Sequence, residues 1–199
     1  MATHASLTGL ANRMRFNEFM TKAMARSRRS KKAGSLLYLD LDGFKAVNDS
    51  YGHHMGDFLL QRVADRLTST LRETDFVARF GGDEFAVILE ALTDLTEPEK
   101  VGQKILNNIK MPYEKEGKRA TIGVSIGIAY FSPESTNEEI INRHADRALC
   151  RAKNGGKGRI CIYDPNIDGP ADEPVNSRLE LVHSRKTSAS IPENDVAMV

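Results

Sequence analysis

Two groups of carboxylates hold most of the chemical potential of this chain. The heptapeptide Arg79-Phe80-Gly81-Gly82-Asp83-Glu84-Phe85 sets two adjacent acids on a tight Gly-Gly turn between two apolar strands. A separate apolar run, Leu36-Leu37-Tyr38-Leu39, ends in Asp40-Leu41-Asp42. If the strands lie side by side, acids from both meet at one edge of the sheet, a site suited to divalent metal and polyphosphate. Mg²⁺ takes protein carboxylates together with phosphate oxygens and water. Two such ions can bridge an attacking hydroxyl and a leaving pyrophosphate. Asp40, at the C-terminal end of its strand where α/β sheets place ligand groups, supplies that donor set with Asp83 or Glu84. The competing role for Asp40 and Asp42 is to cap the following turn; Asp40 reads as the ligand and Asp42 as the cap.

The flanking residues suit a nucleotide. Backbone N–H groups around Gly43-Phe44, where the turn enters a short helix, can hold phosphates while Lys45 adds a point charge. Asn48 and Asp57 carry the groups a purine edge requires: a carboxylate accepts two N–H bonds and an amide both donates and accepts, which suits guanine. As isolated residues they would be a turn asparagine and an N-cap aspartate. His53-His54 lacks a nearby third ligand and reads as structural. Lys153-Asn154-Gly155-Gly156-Lys157-Gly158 follows a helix and has no Ser or Thr after its second lysine, so it fails as a Walker A loop. Lys153 and Lys157 can still reach a triphosphate from the end of that helix.

Local periodicity supplies the elements that must position these groups. Phe16, Phe19, Met20, Ala23 and Met24 predict an amphipathic helix over roughly 11–26, followed by a basic loop from Arg26 to Lys32. Ser35–Leu41 reads as a buried strand, and Leu60, Val63, Ala64, Leu67 and Leu71 as a long helix starting near Gly56-Asp57. Phe76–Phe80 and Phe85–Leu89 form a hairpin joined at Gly81-Gly82. Pro98 opens a helix with Val101, Ile105 and Ile109 on its inner face. A small hairpin turns at Glu116-Gly117 and leads into a strand over Thr121–Ala129. Thr136 and Glu139 suggest a capping box for a helix buried through Ile141, Ala145, Ala148 and Ala152. Arg159–Tyr163 is a last strand. The order β-α-α-β-β-α-β-α-β, with two right-handed crossovers, predicts an α/β (α+β) ferredoxin-like palm: an antiparallel-containing sheet flanked by helices. Residues 164–199 read as a linker or partly disordered tail, with a short helical stretch near Arg178–His183.

Bulk properties narrow the class. The chain has 199 residues, 40% hydrophobic and 28% charged, enough for one domain with a real core. A net charge of +1 lacks the basic excess of a nucleic-acid-binding domain. Cys150 and Cys161 have no metal spacing and read as reduced thiols. The absence of a 20-residue apolar run or a signal-peptide pattern implies a cytoplasmic protein without a membrane segment.

These motifs together resemble the GGDEF family of diguanylate cyclases. Leu7-Thr8-Gly9-Leu10-Ala11-Asn12-Arg13 is similar to the family's opening motif, Asp40-Leu41-Asp42-Gly43-Phe44-Lys45 to its metal strand, and Asn48 to His53 with Gly56-Asp57 to its guanine-binding segment. Gly81-Gly82-Asp83-Glu84-Phe85 is the naming motif unaltered. Thr121 to Gly127 and Ala145-Asp146-Arg147-Ala148-Leu149 follow in place, so the resemblance covers residues 5–163.

The resemblance implies a palm of nucleotidyl-cyclase type. It implies condensation of two GTP into cyclic di-GMP with release of two pyrophosphates, across a head-to-head homodimer. It assigns metal ligation to Asp40, the Leu41 carbonyl and Asp83, with Glu84 as ligand or general base, and two Mg²⁺ or Mn²⁺ per site. Phosphate contacts fall to Gly43, Phe44, Lys45, Lys153 and Lys157, and guanine contacts to Asn48 and Asp57. Arg72-Glu73-Thr74-Asp75 matches the family's RxxD inhibitory product site, with Lys104 as a basic partner. Ala5 stands where the family usually has aspartate, Cys150 where it has tyrosine, and Lys157-Gly158 where it has Arg-Asn. Pro112-Tyr113-Glu114 and Arg178-Leu179-Glu180-Leu181 resemble GGDEF domains that precede an EAL phosphodiesterase. The alternative readings are a non-catalytic GTP- or cyclic-di-GMP-binding regulatory module and, more remotely, a palm enzyme acting on another nucleotide.

Overall fold

The computed structural model describes residues 4–169. In chain order the elements are α1 (Arg13–Ser30), β1 (Gly34–Asp42), α2 (Phe44–Tyr51), α3 (His53–Thr70), β2 (Phe76–Gly81), β3 (Glu84–Leu89), α4 (Glu97–Ile109), β4 (Tyr113–Lys115), β5 (Lys118–Ala120), β6 (Gly123–Phe131), α5 (Glu138–Asn154), β7 (Ile160–Ile162) and α6 (Pro165–Asp168). Five strands form one sheet in the order β2-β3-β1-β6-β7, and β4-β5 is a separate hairpin.

β1 pairs antiparallel with β3 and with β6, and β2 pairs antiparallel with β3. Strands β1 and β2 therefore run in one direction with β3 between them, the split crossover of a ferredoxin-like palm. β7 adds a parallel edge to β6.

Alternation along β1 sends its side chains to two cores. Leu37, Leu39 and Leu41 pack with Phe85, Val87, Val63, Leu67, Ile105 and Ile126 beneath α2, α3 and α4. Leu36 packs on the other face with Ala86, Ile88, Phe16, Met20 and Ala145, under α1 and α5. Asp40 and Asp42 share Leu36's parity, so both acids stand on the α1/α5 face of the strand.

The structure corrects several local expectations. The basic stretch after residue 26 continues α1 to Ser30. It stays helical because Ser27 is buried with its hydroxyl donating to the Lys32 carbonyl at 2.6 Å, and Arg26 Nε reaches Glu90 at 2.7 Å. α3 begins at His53 rather than Gly56, so Asp57 lies in its second turn and caps nothing. The predicted strand over 121–129 runs instead from Gly123 to Phe131. Asn137, not Thr136, caps α5, its side chain accepting the Glu139 N–H at 2.8 Å. The hairpin turn is centred on Gly82-Asp83, since Gly81 and Glu84 are still paired. Gly82 has φ +49, the left-handed first position that a two-residue hairpin demands.

Packed structure also continues past Tyr163. Tyr163 stacks on His144 at 3.7 Å, Arg151 Nε pairs with Asp168 at 3.0 Å, and Arg147 donates to the Asp168 carbonyl at 2.6 Å. These contacts clamp α6 to the outer face of α5. The helical stretch expected near Arg178–His183 lies outside the described residues.

Candidate active site

The two acidic segments do meet. Asp40 is the register partner of Glu84 in the β1–β3 ladder. The Leu41 N–H donates to the Asp83 carbonyl at 3.2 Å, which fixes the turn against the end of β1. Arg79 braces the turn from the other side, donating through Nε and a terminal nitrogen to the Gly82 carbonyl at 3.1 and 2.8 Å. Burial holds the Arg79 pKa below its usual value, while the negative charges of Asp57 and Asp83 oppose that shift. One guanidinium thus feels both the turn acid and the proposed base contact.

Asp40 is half-buried, and Lys153 Nζ donates to its Oδ2 at 2.6 Å. Burial pushes the Asp40 carboxyl above the usual carboxylate range; the Lys153 hydrogen bond and charge pull it down, and Asp83 and Asp42 push it up further. Glu84 is more open, its side chain 55% exposed and 3.9 Å from Arg13, whose guanidinium lies over the Phe80 ring at 4.3 Å.

Asp42 does not cap the following turn. Gly43 is the N-cap of α2 and has no side-chain cap bond; its φ of +87 suits glycine. The Asp42 carboxylate instead accepts from Ser125 Oγ at 3.0 and 2.9 Å and from the Gly158 N–H at 2.9 Å.

The remaining predicted residues fall around this edge. Lys45 is exposed in the first turn of α2. Asn48 packs directly on Gly56: a Cβ there would meet Asn48 Oδ1 at 1.9 Å. This close approach explains the glycine; Asp57, the next residue of α3, is exposed. Lys157 is exposed with φ +62, in the loop that ends α5.

Arg72 and Asp75 lie outside this group, at the entry to β2. The Arg72 N–H donates to Asp75 Oδ2 at 2.9 Å, closing the RxxD turn. The Arg72 guanidinium pairs with Glu97 at 2.6 Å rather than with Asp75. Burial raises the Asp75 pKa, with Glu97 and Glu90 adding to the rise and Arg72 opposing it. Lys104 is exposed on α4, two turns from Glu97 on the same helical stripe, about 10 Å along the axis.

Sequence reasoning assigned no role to Arg13, Arg79 or Ser125. A signal existed for Ser125, a polar residue inside the apolar run Val124–Ile128. Arg13 and Arg79 stood within the motifs, but only the fold shows what they touch. A hollow of about 270 Å³ beside Glu84 is lined by Arg13, Tyr38, Phe80, Asn142 and Asp146. The Tyr38 hydroxyl donates to Asn142 Oδ1 at 3.0 Å in its wall.

A hard-oxygen donor set of this kind fits Mg²⁺ or Mn²⁺, which need only one or two carboxylates when substrate phosphates complete the shell. Among the described residues no three His, Cys, Asp or Glu side chains form a ready-made metal cluster.

Residues 2–159 match the family described as "Diguanylate cyclase, GGDEF domain". The chain belongs to the GGDEF family. This GGDEF domain is 36% identical over 183 residues to the bifunctional diguanylate cyclase/cyclic di-GMP phosphodiesterase MucR of Pseudomonas aeruginosa, covering 92% of this chain and 26% of MucR. It is 38% identical over 159 residues to the diguanylate cyclase DgcP of the same organism, covering 77% of this chain and 23% of DgcP. It thus spans about a quarter of the length of these relatives. Among solved structures, the isolated GGDEF domain of TpbB from P. aeruginosa superimposes with a TM-score of 0.76 at 32% identity, covering 82% of this chain and 95% of that one. The GGDEF domain of DgcB from Caulobacter crescentus, solved in complex with c-di-GMP, gives 0.75 at 30% identity, with 82% and 96% covered. The cyclase-type palm expected from the sequence is the fold observed. No helix among the described residues is long and apolar enough to cross a membrane.

Proposed function

We propose that this GGDEF domain is a diguanylate cyclase that condenses two GTP into cyclic di-GMP and two pyrophosphates. The observation that carries the reading is the register pairing of Asp40 with Glu84 beside the Asp83 turn, with Lys153 closing the site. No metal-ligand or base position of the motif is lost.

Asp40, Asp83 and the Leu41 carbonyl would hold Mg²⁺ or Mn²⁺, two ions per site, with Glu84 as a further ligand or as base. The bound metal supplies electrophilic activation of the α-phosphate and neutralises the leaving pyrophosphate. Asn48 and Asp57 read the guanine edge. The first-turn N–H groups of α2, Lys45, Lys153 and Lys157 hold the phosphates. Glu84, exposed at the sheet edge, is placed to take the proton of a 3′-hydroxyl. That hydroxyl belongs to the GTP on a second copy of the chain, because one domain offers one catalytic edge. Each transfer forms one phosphodiester bond, breaks one phosphoanhydride bond and releases pyrophosphate; two transfers close the ring. Product bound at Arg72, Asp75 and Lys104 would hold two domains with their GTP sites apart, since a ligand that favours that arrangement shifts the population toward it.

The test is incubation of the purified chain with GTP and Mg²⁺ and separation of products by mass. Cyclic di-GMP with two equivalents of pyrophosphate is expected, with activity per chain rising with protein concentration as two chains must meet. GTP binding without turnover would favour the non-catalytic regulatory reading.

A further inference from the structure

Beyond the metal ligands, the junction where β1, β6 and the end of α5 converge is built around one carboxylate. We propose that Asp42 is a positioning residue for nucleotidyl transfer: it fastens the Lys153–Lys157 phosphate loop to the metal-bearing end of β1. The proposal rests on the cyclase reading and adds a residue to it.

Two donors converge on the partly buried Asp42 carboxylate. Ser125 is fully buried on β6, in register with Asp40, and its hydroxyl donates to the Asp42 carboxylate at 3.0 or 2.9 Å. The Gly158 N–H reaches Asp42 Oδ2 at 2.9 Å and Ser125 Oγ at 3.2 Å. Gly123 faces Asp42 across the ladder; a Cβ there would lie 3.3 Å from Asp42 Cβ and Oδ2, so a larger residue at 123 would crowd the carboxylate in this position. The loop itself needs an anchor, because Lys157 and Gly158 both have positive φ, +62 and +58, which disfavours the lysine.

These bonds separate Asp42 from Asp40 despite their shared face. Turning Asp42 toward a metal would take the carboxylate acceptor from the buried Ser125 hydroxyl and leave the Gly158 N–H only its longer contact to Ser125 Oγ, and a buried donor left without its acceptor is costly. Asp42 therefore acts through the loop. Lys153, at the C-terminal end of α5, reaches Asp40, and Lys157 lies one residue before the anchored Gly158. Lys153 is held by α5 and Asp40, so it is Lys157 that loosening the loop releases; a phosphate contact made equally in the ground state and in the transfer step would then be lost as a higher KM with kcat largely spared.

Asp42→Asn keeps an oxygen acceptor for Gly158, whereas Asp42→Ala removes it. Steady-state kinetics with MgGTP should show KM raised about tenfold in Asp42→Ala with kcat within about threefold, and Asp42→Asn within about threefold of the parent in both. The Mg²⁺ concentration for half-activation should be the same in all three, and the Gly158 amide should exchange faster only in Asp42→Ala. If Asp42→Asn is as inactive as Asp40→Asn, Asp42 is a ligand and the proposal is overturned. Unchanged KM in Asp42→Ala with faster Gly158 exchange would make the bond merely structural and overturn it as well. Should Asp42→Ala not fold, Ser125→Ala carries the test, with KM expected to rise about threefold at unchanged kcat and an unchanged KM counting against the proposal. A parent chain that makes no cyclic di-GMP speaks against the cyclase reading alone; the same ratios are then read from MgGTP dissociation constants by calorimetry.

Discussion

Lys153 Nζ sits 2.6 Å from Asp40 Oδ2, joining residues 113 apart in sequence at the acidic end of β1. The pair offsets part of the cost of burying Asp40 before any nucleotide arrives. Lys153→Met should therefore weaken binding of Mg²⁺ with a non-hydrolysable GTP analogue by about tenfold or more, through the lost phosphate contact. Calorimetric affinity equal to that of the parent would restrict Lys153 to its partnership with Asp40.

The Gly82-Asp83 turn and Glu84 are surface features of a rigid hairpin, so their acids can be removed without touching the core. Asp83→Asn or Glu84→Gln should reduce cyclic di-GMP synthesis by at least about a hundredfold, with an unchanged circular dichroism spectrum. Near-normal turnover in either folded variant would strike that residue from the catalytic set.

On the proposed reading, base selection falls to Asp57 and to Asn48, which lies over Gly56. Asp57→Ala leaves guanine N–H groups unpaired, a penalty of about 1–3 kcal/mol, so GTP affinity should fall about tenfold or more while ATP binding hardly changes. Gly56→Ala should have a similar effect by pushing Asn48 aside. Equal GTP affinity in all three proteins would place base recognition elsewhere.

Glu97 holds the Arg72 guanidinium at 2.6 Å, so on the proposed inhibitory reading cyclic di-GMP at the RxxD turn would compete with a carboxylate whose side chain is only 15% exposed. Arg72→Ala should eliminate micromolar cyclic di-GMP binding and raise the product level at which synthesis stalls. Glu97→Gln should tighten binding by about fivefold, consistent with the removal of a partly exposed charge competitor. A parent chain with no micromolar affinity for cyclic di-GMP would refute the inhibitory role.

His144, stacked on Tyr163, has its pKa held below the ordinary value of 6.5 by burial first and by the Arg147 and Arg143 charges, with Asp168 opposing. A depressed histidine favours its neutral form in the folded state. Its stabilising contribution is thus complete above the unfolded value near 6.5 and is lost as pH falls through the folded value. The clamp on α6 should loosen below pH 6.5, and His144→Phe should lose less melting temperature than the parent between pH 7 and pH 5. An NMR titration midpoint for His144 above 6.5 would contradict this.

Much of this protein was legible residue by residue. The alternating run Leu36–Asp42 determined a strand with its acids on one face, and Gly81-Gly82-Asp83-Glu84 a turn that presents carboxylates, because strand parity and turn chemistry are local properties. The helix faces of Phe16–Met24 and Ile141–Ala152 were equally plain from their period. Where local polarity misled, a distant partner was responsible: Arg26 and Ser27 are helical because Glu90 and the Lys32 carbonyl receive them. Tertiary structure alone decided that Asp40 faces Glu84, that Lys153 reaches across to Asp40, that Asp42 serves Ser125 and Gly158, and that Arg72 answers to Glu97. Each of these contacts depends on sheet order and strand register, which follow from burying two apolar faces at once and leave no mark in the spacing of any single segment.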